Sequence, residues 1–176
     1  MANLFLHYAF DAWMGREFPT VAFERYVDDA VVHCVSERQA QMLRDRIAVR
    51  LDEVGLRLHP EKTKIVYCKD GKRRGSFEHT SFTFLGFTFR ARAARDRHGQ
   101  MFTSFLPAIS KEAMKTLNGV VRGWRLHLHS TWNLGQIAQW INPIVRGWLQ
   151  YYGRFYRSEL YSLVKRINTY LTSVFQ

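Results

Sequence analysis

The sequence predicts an α+β protein: a first region of helix, hairpin and further strands, followed by a second region that is almost entirely helical. Three observations carry that expectation. Hydrophobic residues make up 47% and aromatic residues 15% of 176 residues, which excludes a chain too polar to bury a core. Short β-prone runs punctuated by turn residues recur between Val21 and Phe105. Beyond Phe105, apolar residues step by three and four, the period of a helix packed on one face.

The elements come in order. Met1 to Met14 is apolar but carries His7 and Asp11 and lacks a basic leader and cleavage site, so it reads as a helix to be buried. Val21 to Val35 (VAFERYVDDAVVHCV) is two β-prone runs around Asp28-Asp29, a tight antiparallel hairpin with the acidic pair at its tip. Ser36 with Gln39 forms a capping box, Ala40, Leu43, Ile47, Leu51 and Val54 keep helical spacing, and Gly55 supplies a left-handed stop. Lys64 to Cys68 is expected to be a strand and Lys69 to Gly75 a basic turn. Ser81 to Arg90 (SFTFLGFTFR) reads as a strand whose Gly86 marks a bulge or a close backbone approach. Arg90 to Gly99 is expected to be a loop, and Leu106-Pro107 the junction between residues 1–105 and 106–176.

Three helices complete the chain. Ser110 caps the first, with Met114, Leu117, Val121, Trp124 and Leu128 as its stripe. Asn142 and Pro143 are expected to start the second, as cap and first helical residue. The third begins near Ser158, with Leu160, Leu163, Ile167, Leu171 and Val174 facing inward. Trp124, Trp132, Trp140 and Trp148 recur every eight residues, a spacing that matches neither a helix face nor a structural repeat and is read as coincidence.

Charge narrows the function. Lys and Arg total 26 against 15 Asp and Glu, a net charge of +11, which favours a polyanionic partner. The excess is uneven: 17 basic and 13 acidic residues precede Phe105, and 9 basic and 2 acidic residues follow from it. Ala113 to Ser158 holds no acidic residue, yet Arg122, Arg125, Arg146 and Arg154 stand there among tryptophans and tyrosines. Cations interleaved with rings suit a nucleic-acid backbone and its unpaired bases, while a helical bundle with an aromatic core and a solvated basic face is the plainer alternative. No stretch reaches 18 apolar residues, so no membrane partner is expected. Cys34 and Cys68 form no disulfide framework or zinc motif and point to a reducing, cytoplasmic setting, and the seven histidines show no metal-ligand spacing.

Tyr26-Val27-Asp28-Asp29 carries the chemistry. Adjacent carboxylates about 5 Å apart repel by roughly 3 kcal/mol at an effective dielectric of 20 and by under about 1 kcal/mol in water, so burial demands a cation and exposure demands nothing. Alone, such a pair is more often a solvated turn. Facing a cleft, it suits Mg²⁺, which takes carboxylate oxygens and bridges to substrate phosphates.

In this setting the residues resemble the reverse transcriptases encoded by group II introns, which also act as maturases. RYVDD (Arg25 to Asp29) is similar to the polymerase catalytic hairpin, usually written with Ala where Val27 stands. ANLFLHYAFD (Ala2 to Asp11) resembles the helix before it, GLRLHPEKTKI (Gly55 to Ile65) the lysine-bearing segment after it, and FLGF (Phe84 to Phe87) the primer-grip turn. INPIVRGWLQYY (Ile141 to Tyr152) resembles the signature of the maturase, or X, domain that serves as the polymerase thumb.

The resemblance implies part of a right-hand palm over 1–105 and a helical thumb or maturase domain over 106–176, with RNA-directed DNA synthesis by two Mg²⁺ ions and binding of intron RNA for splicing. It implies Asp28 and Asp29 as metal ligands, Tyr26 beside the primer end, Lys62 and Lys64 near the triphosphate or heteroduplex, and Leu85 and Gly86 against the primer. Arg122, Arg125, Arg146, Arg154, Tyr151 and Tyr152 would contact RNA. The plainer readings stay open: solvated lysines, a β-bulge at Gly86, and tyrosines that pack. The family's further metal-binding aspartate and its fingers have no counterpart here, so the chain is expected to be the carboxy-terminal part of a larger enzyme, inactive alone, whose partners are the missing amino-terminal region and an RNA/DNA primer-template. The alternatives are a non-catalytic RNA-binding maturase module, or a fragment that pairs with a second copy through an uncovered palm face.

Overall fold

The computed structural model describes residues 1–73, 75, 77–129 and 131–174, the Val174 side chain excepted. Arg74 of the basic turn and the inward place expected for Val174 lie outside the described residues. The fold is α+β and comprises two compact units, Met1–Tyr67 and Cys68–Gln176. No described helix is long and apolar enough to cross a membrane.

The first unit opens with α1 (Ala2–Leu6), a π-helical turn (His7–Asp11) and α2 (Ala12–Glu17). The widened turn is closed by the Ala12 N–H on the His7 carbonyl. One extra residue in a turn rotates the residues after it by about 100°. Phe10, Trp13 and Met14 are thereby buried, while α1 buries no residue. Strands β1 (Phe23–Tyr26) and β2 (Asp29–Val32) form the hairpin, with Tyr26 opposite Asp29. Its two-residue loop is Val27-Asp28, so Asp29 opens the second strand instead of sharing the tip.

Helix α3 (Glu37–Glu53) packs Leu43, Ile47 and Leu51 onto the same core as Phe10, Trp13, Met14 and Val21. The Ser36 hydroxyl accepts from the Gln39 N–H, but the Gln39 side chain accepts from Val35, so only half of the expected box forms. Gly55 (φ +75) ends the helix in a Schellman motif: Leu56 N–H donates to the Leu51 carbonyl and Gly55 N–H to that of Asp52.

In the second unit β3 (Ser81–Phe84), β4 (Phe87–Arg95) and β5 (Met101–Ile109) form an antiparallel sheet in that order. Four expectations change here. Lys64 to Cys68 joins no ladder among the described residues, where each strand pairs only with its hairpin neighbours. Ser81 to Arg90 is a hairpin, with Leu85 (φ +51) and Gly86 (φ +77) as its turn, so Gly86 is not a bulge. Arg90 to Gly99 is mostly strand, and the true loop is the Asp96 turn, whose carboxylate accepts from the His98 and Gln100 amides. Leu106 and Pro107 lie within β5, an edge strand, where a missing N–H is tolerated.

Helices α4 (Lys111–Gly123), α5 (Leu134–Tyr152) and α6 (Tyr161–Val174) pack around a second core of Ile109, Leu117, Val121, Trp124, Ile137, Ile141, Leu160, Leu163 and Ile167. Ser110 caps α4 as expected. The helix stops at Gly123, the chain reverses at Arg125 (φ +45), and Leu128 is 64% exposed while Leu126 takes the buried place. Trp124, Trp132, Trp140 and Trp148 are a cluster after all. Trp124 stacks on Trp148 at 5.7 Å, and Trp140 meets Trp124 and Trp132 at 6.2 and 5.8 Å.

Helix α5 begins nine residues before the expected start. Asn133 and Gln136 cap each other's backbone N–H, a full capping box, and Pro143 falls inside the helix. An interior proline costs about 3 kcal/mol, but burying Ile137 and Ile141 returns about 1.5–3 kcal/mol each, so packing decides the start. Pro143→Ala is therefore expected to stabilise the protein by about 1–3 kcal/mol in urea unfolding, where a proline at the first helical position would give a change near zero.

Candidate functional site

The acidic hairpin is built from outside as much as from its own strands. Val27, a β-branched residue, has φ +56, a region such residues rarely enter. Only the first loop residue has positive φ, the type II′ pattern. The Arg25 guanidinium holds this turn: its Nη1–H donates to the Val27 carbonyl at 2.6 Å. Arg25 is in turn forked onto Asp11, Nε to Oδ1 and Nη2 to Oδ2, both at 2.7 Å, with the two side chains 12% and 22% exposed. Hydrogen bonding from Arg25 holds the Asp11 carboxyl below its ordinary range, and Asp11 raises Arg25.

Asp28, Asp29 and Tyr26 are exposed, and among the described residues neither carboxylate has an ion-pair or side-chain hydrogen-bond partner. Two hard oxygen donors with free lone pairs on a held turn fit a hard divalent cation. No group of three His, Cys, Asp or Glu residues able to hold a metal occurs among the described residues. Lys62 and Lys64 lie in the same unit, exposed on the loop after α3.

In the second unit, Leu85 and Gly86 form a type I′ turn held against α5. The Tyr151 hydroxyl donates to the Leu85 carbonyl at 2.9 Å, and the Ser110 amide donates to that of Gly86 at 2.8 Å. A Cβ on Gly86 would stand 3.0 Å from the Tyr152 hydroxyl oxygen. Phe87 is buried beneath the rings of Tyr151, Tyr152 and Phe155, at 5.2 to 5.5 Å. Burial, and then Tyr151, push the Tyr152 hydroxyl upward in pKa. The structure thus gives both tyrosines packing partners, and the Tyr151 ring still keeps an exposed side.

A groove of about 640 Å³ runs along α5 and the turn after it, lined by Asn142, Arg146, Gln150, Arg154 and Arg157 among other residues. Asn142, Arg146 and Gln150 stand four apart on one face of α5, and Arg154 follows in the turn after it. Arg122 and Arg125 are exposed at the end of α4 and do not line that groove. Sequence reasoning does not single out Asn142 and Gln150 because it reads Asn142 as a helix cap and looks for cations and rings; Arg157 belongs to the basic stretch of the sequence but lies off that four-residue period. Sequence reasoning also missed the pairing of Asp11 with Arg25, for which no local spacing exists. Arg92 is basic but committed: it is 7% exposed, bonded to Glu159 at 3.0 Å and stacked on Tyr156.

Two family models match the chain: reverse transcriptase (RNA-dependent DNA polymerase) over residues 1–89, and the group II intron maturase-specific domain over residues 114–175. Comparison with the curated proteins gives no match.

Gly86 and Gly99 test the turn. Both have positive φ, at +77 and +84, but a Cβ on Gly99 meets nothing within 4 Å. Gly99→Ala should cost about 1–2 kcal/mol for the left-handed backbone alone, and Gly86→Ala measurably more in the same unfolding experiment.

Proposed function

Because the chain belongs to the reverse transcriptases (RNA-dependent DNA polymerases) and carries the maturase-specific domain of group II introns, we propose that its Tyr26–Asp29 hairpin is the metal-binding part of the polymerase site. RNA-directed DNA synthesis and intron splicing are the roles of this family, and its polymerase depends on a divalent metal. The observation that carries the proposal is the pair of exposed, unpartnered carboxylates on a turn held by Arg25. Asp28 and Asp29 would each give oxygens to Mg²⁺, and the remaining ligands would come from water, substrate phosphates and a carboxylate of the palm and fingers region, the partner we assign to this chain.

Asp28 and Asp29 would help to hold two such ions, whose chemistry would be activation of a 3′ hydroxyl and stabilisation of a departing pyrophosphate. The chain's own groups supply the rest. Tyr26 offers a ring to the primer end, and Lys62 and Lys64 offer charge to the triphosphate. The Leu85-Gly86 turn lets backbone approach the primer. On this reading residues 1–105 serve the palm and 106–176 the thumb, with β5 running across the division.

In primer extension on an RNA template, run with the palm and fingers region supplied, Asp28→Asn and Asp29→Asn should abolish synthesis and leave RNA binding intact. Unchanged synthesis in both variants contradicts the assignment, and absent synthesis in every form favours a maturase module that only binds RNA.

Intron RNA and the heteroduplex are the proposed ligands of the basic helical part, with Arg146, Arg154 and Arg157 in the groove and Arg122 and Arg125 at the end of α4. Five phosphate contacts, one from each arginine, give a log-log salt slope of about −3.5 to −4.5. Replacing Arg146, Arg154 and Arg157 together by Gln should flatten it by about 2 to 3. A slope unchanged by the triple variant removes the groove from the binding surface. Exposed Leu4, Phe5 and Tyr8 favour a second reading, self-association through α1 and the π-helical turn after it, which light scattering rejects if the mass stays monomeric across concentrations.

A further inference from the structure

Arg25 does more than join a strand to a helix. Four of the five N–H donors of a guanidinium have acceptors here: both Asp11 oxygens, the Val27 carbonyl and the Asn3 side-chain oxygen. The Val27 carbonyl belongs to the central peptide of the Val27-Asp28 turn. Turn types I′ and II′ differ by a flip of that peptide, and a flip would reverse the sign of φ at Asp28, which is negative here. A donor fixed at 2.6 Å from that carbonyl opposes the flip.

The donor is itself fixed by Asp11, which stands at the end of the π-helical turn. Without the extra residue in that turn, Asp11 would be displaced around the helix by about 100°. His7 also reaches Asp11, at 3.4 Å, from the start of the same turn. The pair is charge-assisted and bidentate, the geometry that best sets orientation.

We propose that Asp11 and Arg25 are positioning residues: through the Val27 carbonyl they hold the hairpin turn in the conformation in which Asp28 and Asp29 bind a divalent ion together. The inference rests on the metal-binding reading of the two aspartates. Neither clamp residue touches the ion; each acts through the turn. A group that orients a metal ligand typically changes affinity by about 10- to 100-fold when removed.

The test uses Mn²⁺ as probe, with binding to the chain followed by paramagnetic relaxation, and amide hydrogen exchange at Asp28 and Asp29 as a readout independent of metal. Arg25→Lys keeps the charge and loses the fork; Asp11→Asn keeps the size and loses the charge. Both should weaken Mn²⁺ binding by about 10- to 100-fold and speed exchange at the turn. Leu51→Ala, a core change in the same unit, is the control for general destabilisation. Under conditions where it remains folded it should leave both readouts at wild-type values. Asp11→Asn is the milder variant and decides the matter if Arg25→Lys does not fold. Wild-type affinity and exchange in the clamp variants, or changes no larger than those of Leu51→Ala, overturn the proposal. Asp28→Asn separates the two ideas: if it leaves Mn²⁺ binding unchanged, the metal reading fails, while exchange in the clamp variants still decides whether Asp11 and Arg25 hold the turn.

Discussion

A non-glycine residue in the left-handed region costs about 1–2 kcal/mol, and each hairpin at the candidate sites contains one at the same place. Val27 and Leu85 are the first loop residues of their two-residue turns, with φ +56 and +51. In both, the carbonyl of that residue is taken by a side chain from outside the turn: the Arg25 guanidinium at 2.6 Å and the Tyr151 hydroxyl at 2.9 Å. The neutral Tyr151 bond contributes about 1 kcal/mol and meets only the low end of that cost, whereas the charged Arg25 bond contributes about 1.5–3 kcal/mol and offsets it. At Leu85 the remainder falls to packing of Phe87 beneath Tyr151 and Tyr152. Strain at a turn is kept only where surrounding structure over-determines it, and these are the turns the functional reading selects.

Helix α5 shows how one element serves two purposes. Ile137 and Ile141 bury one stripe in the core, and Tyr151 and Tyr152 close over the Leu85-Gly86 turn. Arg146, with Asn142 and Gln150, stands along the open groove. Trp148, on the same helix, packs against the core through its stacked partner Trp124. Basic charge is divided in the same way: Arg92 is spent on Glu159 and Tyr156 inside the fold, whereas Arg154 and Arg157 remain along the groove. Net charge alone therefore overstates the surface that can meet phosphate.

Local signals were legible in the sequence and contacts between distant segments were not. Ser36 to Gly55 could be read because cap, apolar period and left-handed stop all lie within one helix. The acidic hairpin could be read too, to within one residue of its turn. Pro143 misled because asparagine before proline is a good helix start, and only the buried isoleucines upstream outweigh it. The strand expected over Ser81 to Arg90 misled for the opposite reason: Leu85 accepts a left-handed conformation because Tyr151, 66 positions away, holds its carbonyl. Asp11 and Arg25, 14 apart, form a contact that depends on a π-helical turn no residue pattern announces. Of the proposed metal site, sequence supplied Asp28 and Asp29; the Arg25 bond to their turn required the fold.

The most direct measurement is a crystal structure of this chain grown with Mn²⁺, with the ion located by its anomalous signal. The expected result is a manganese peak shared by the Asp28 and Asp29 carboxylates, with the Val27 carbonyl still on Arg25 and Val27 still at positive φ. Manganese bound elsewhere, with both aspartates directed into solvent on a flipped turn, would contradict the claim that this hairpin is a metal site held ready by its neighbours.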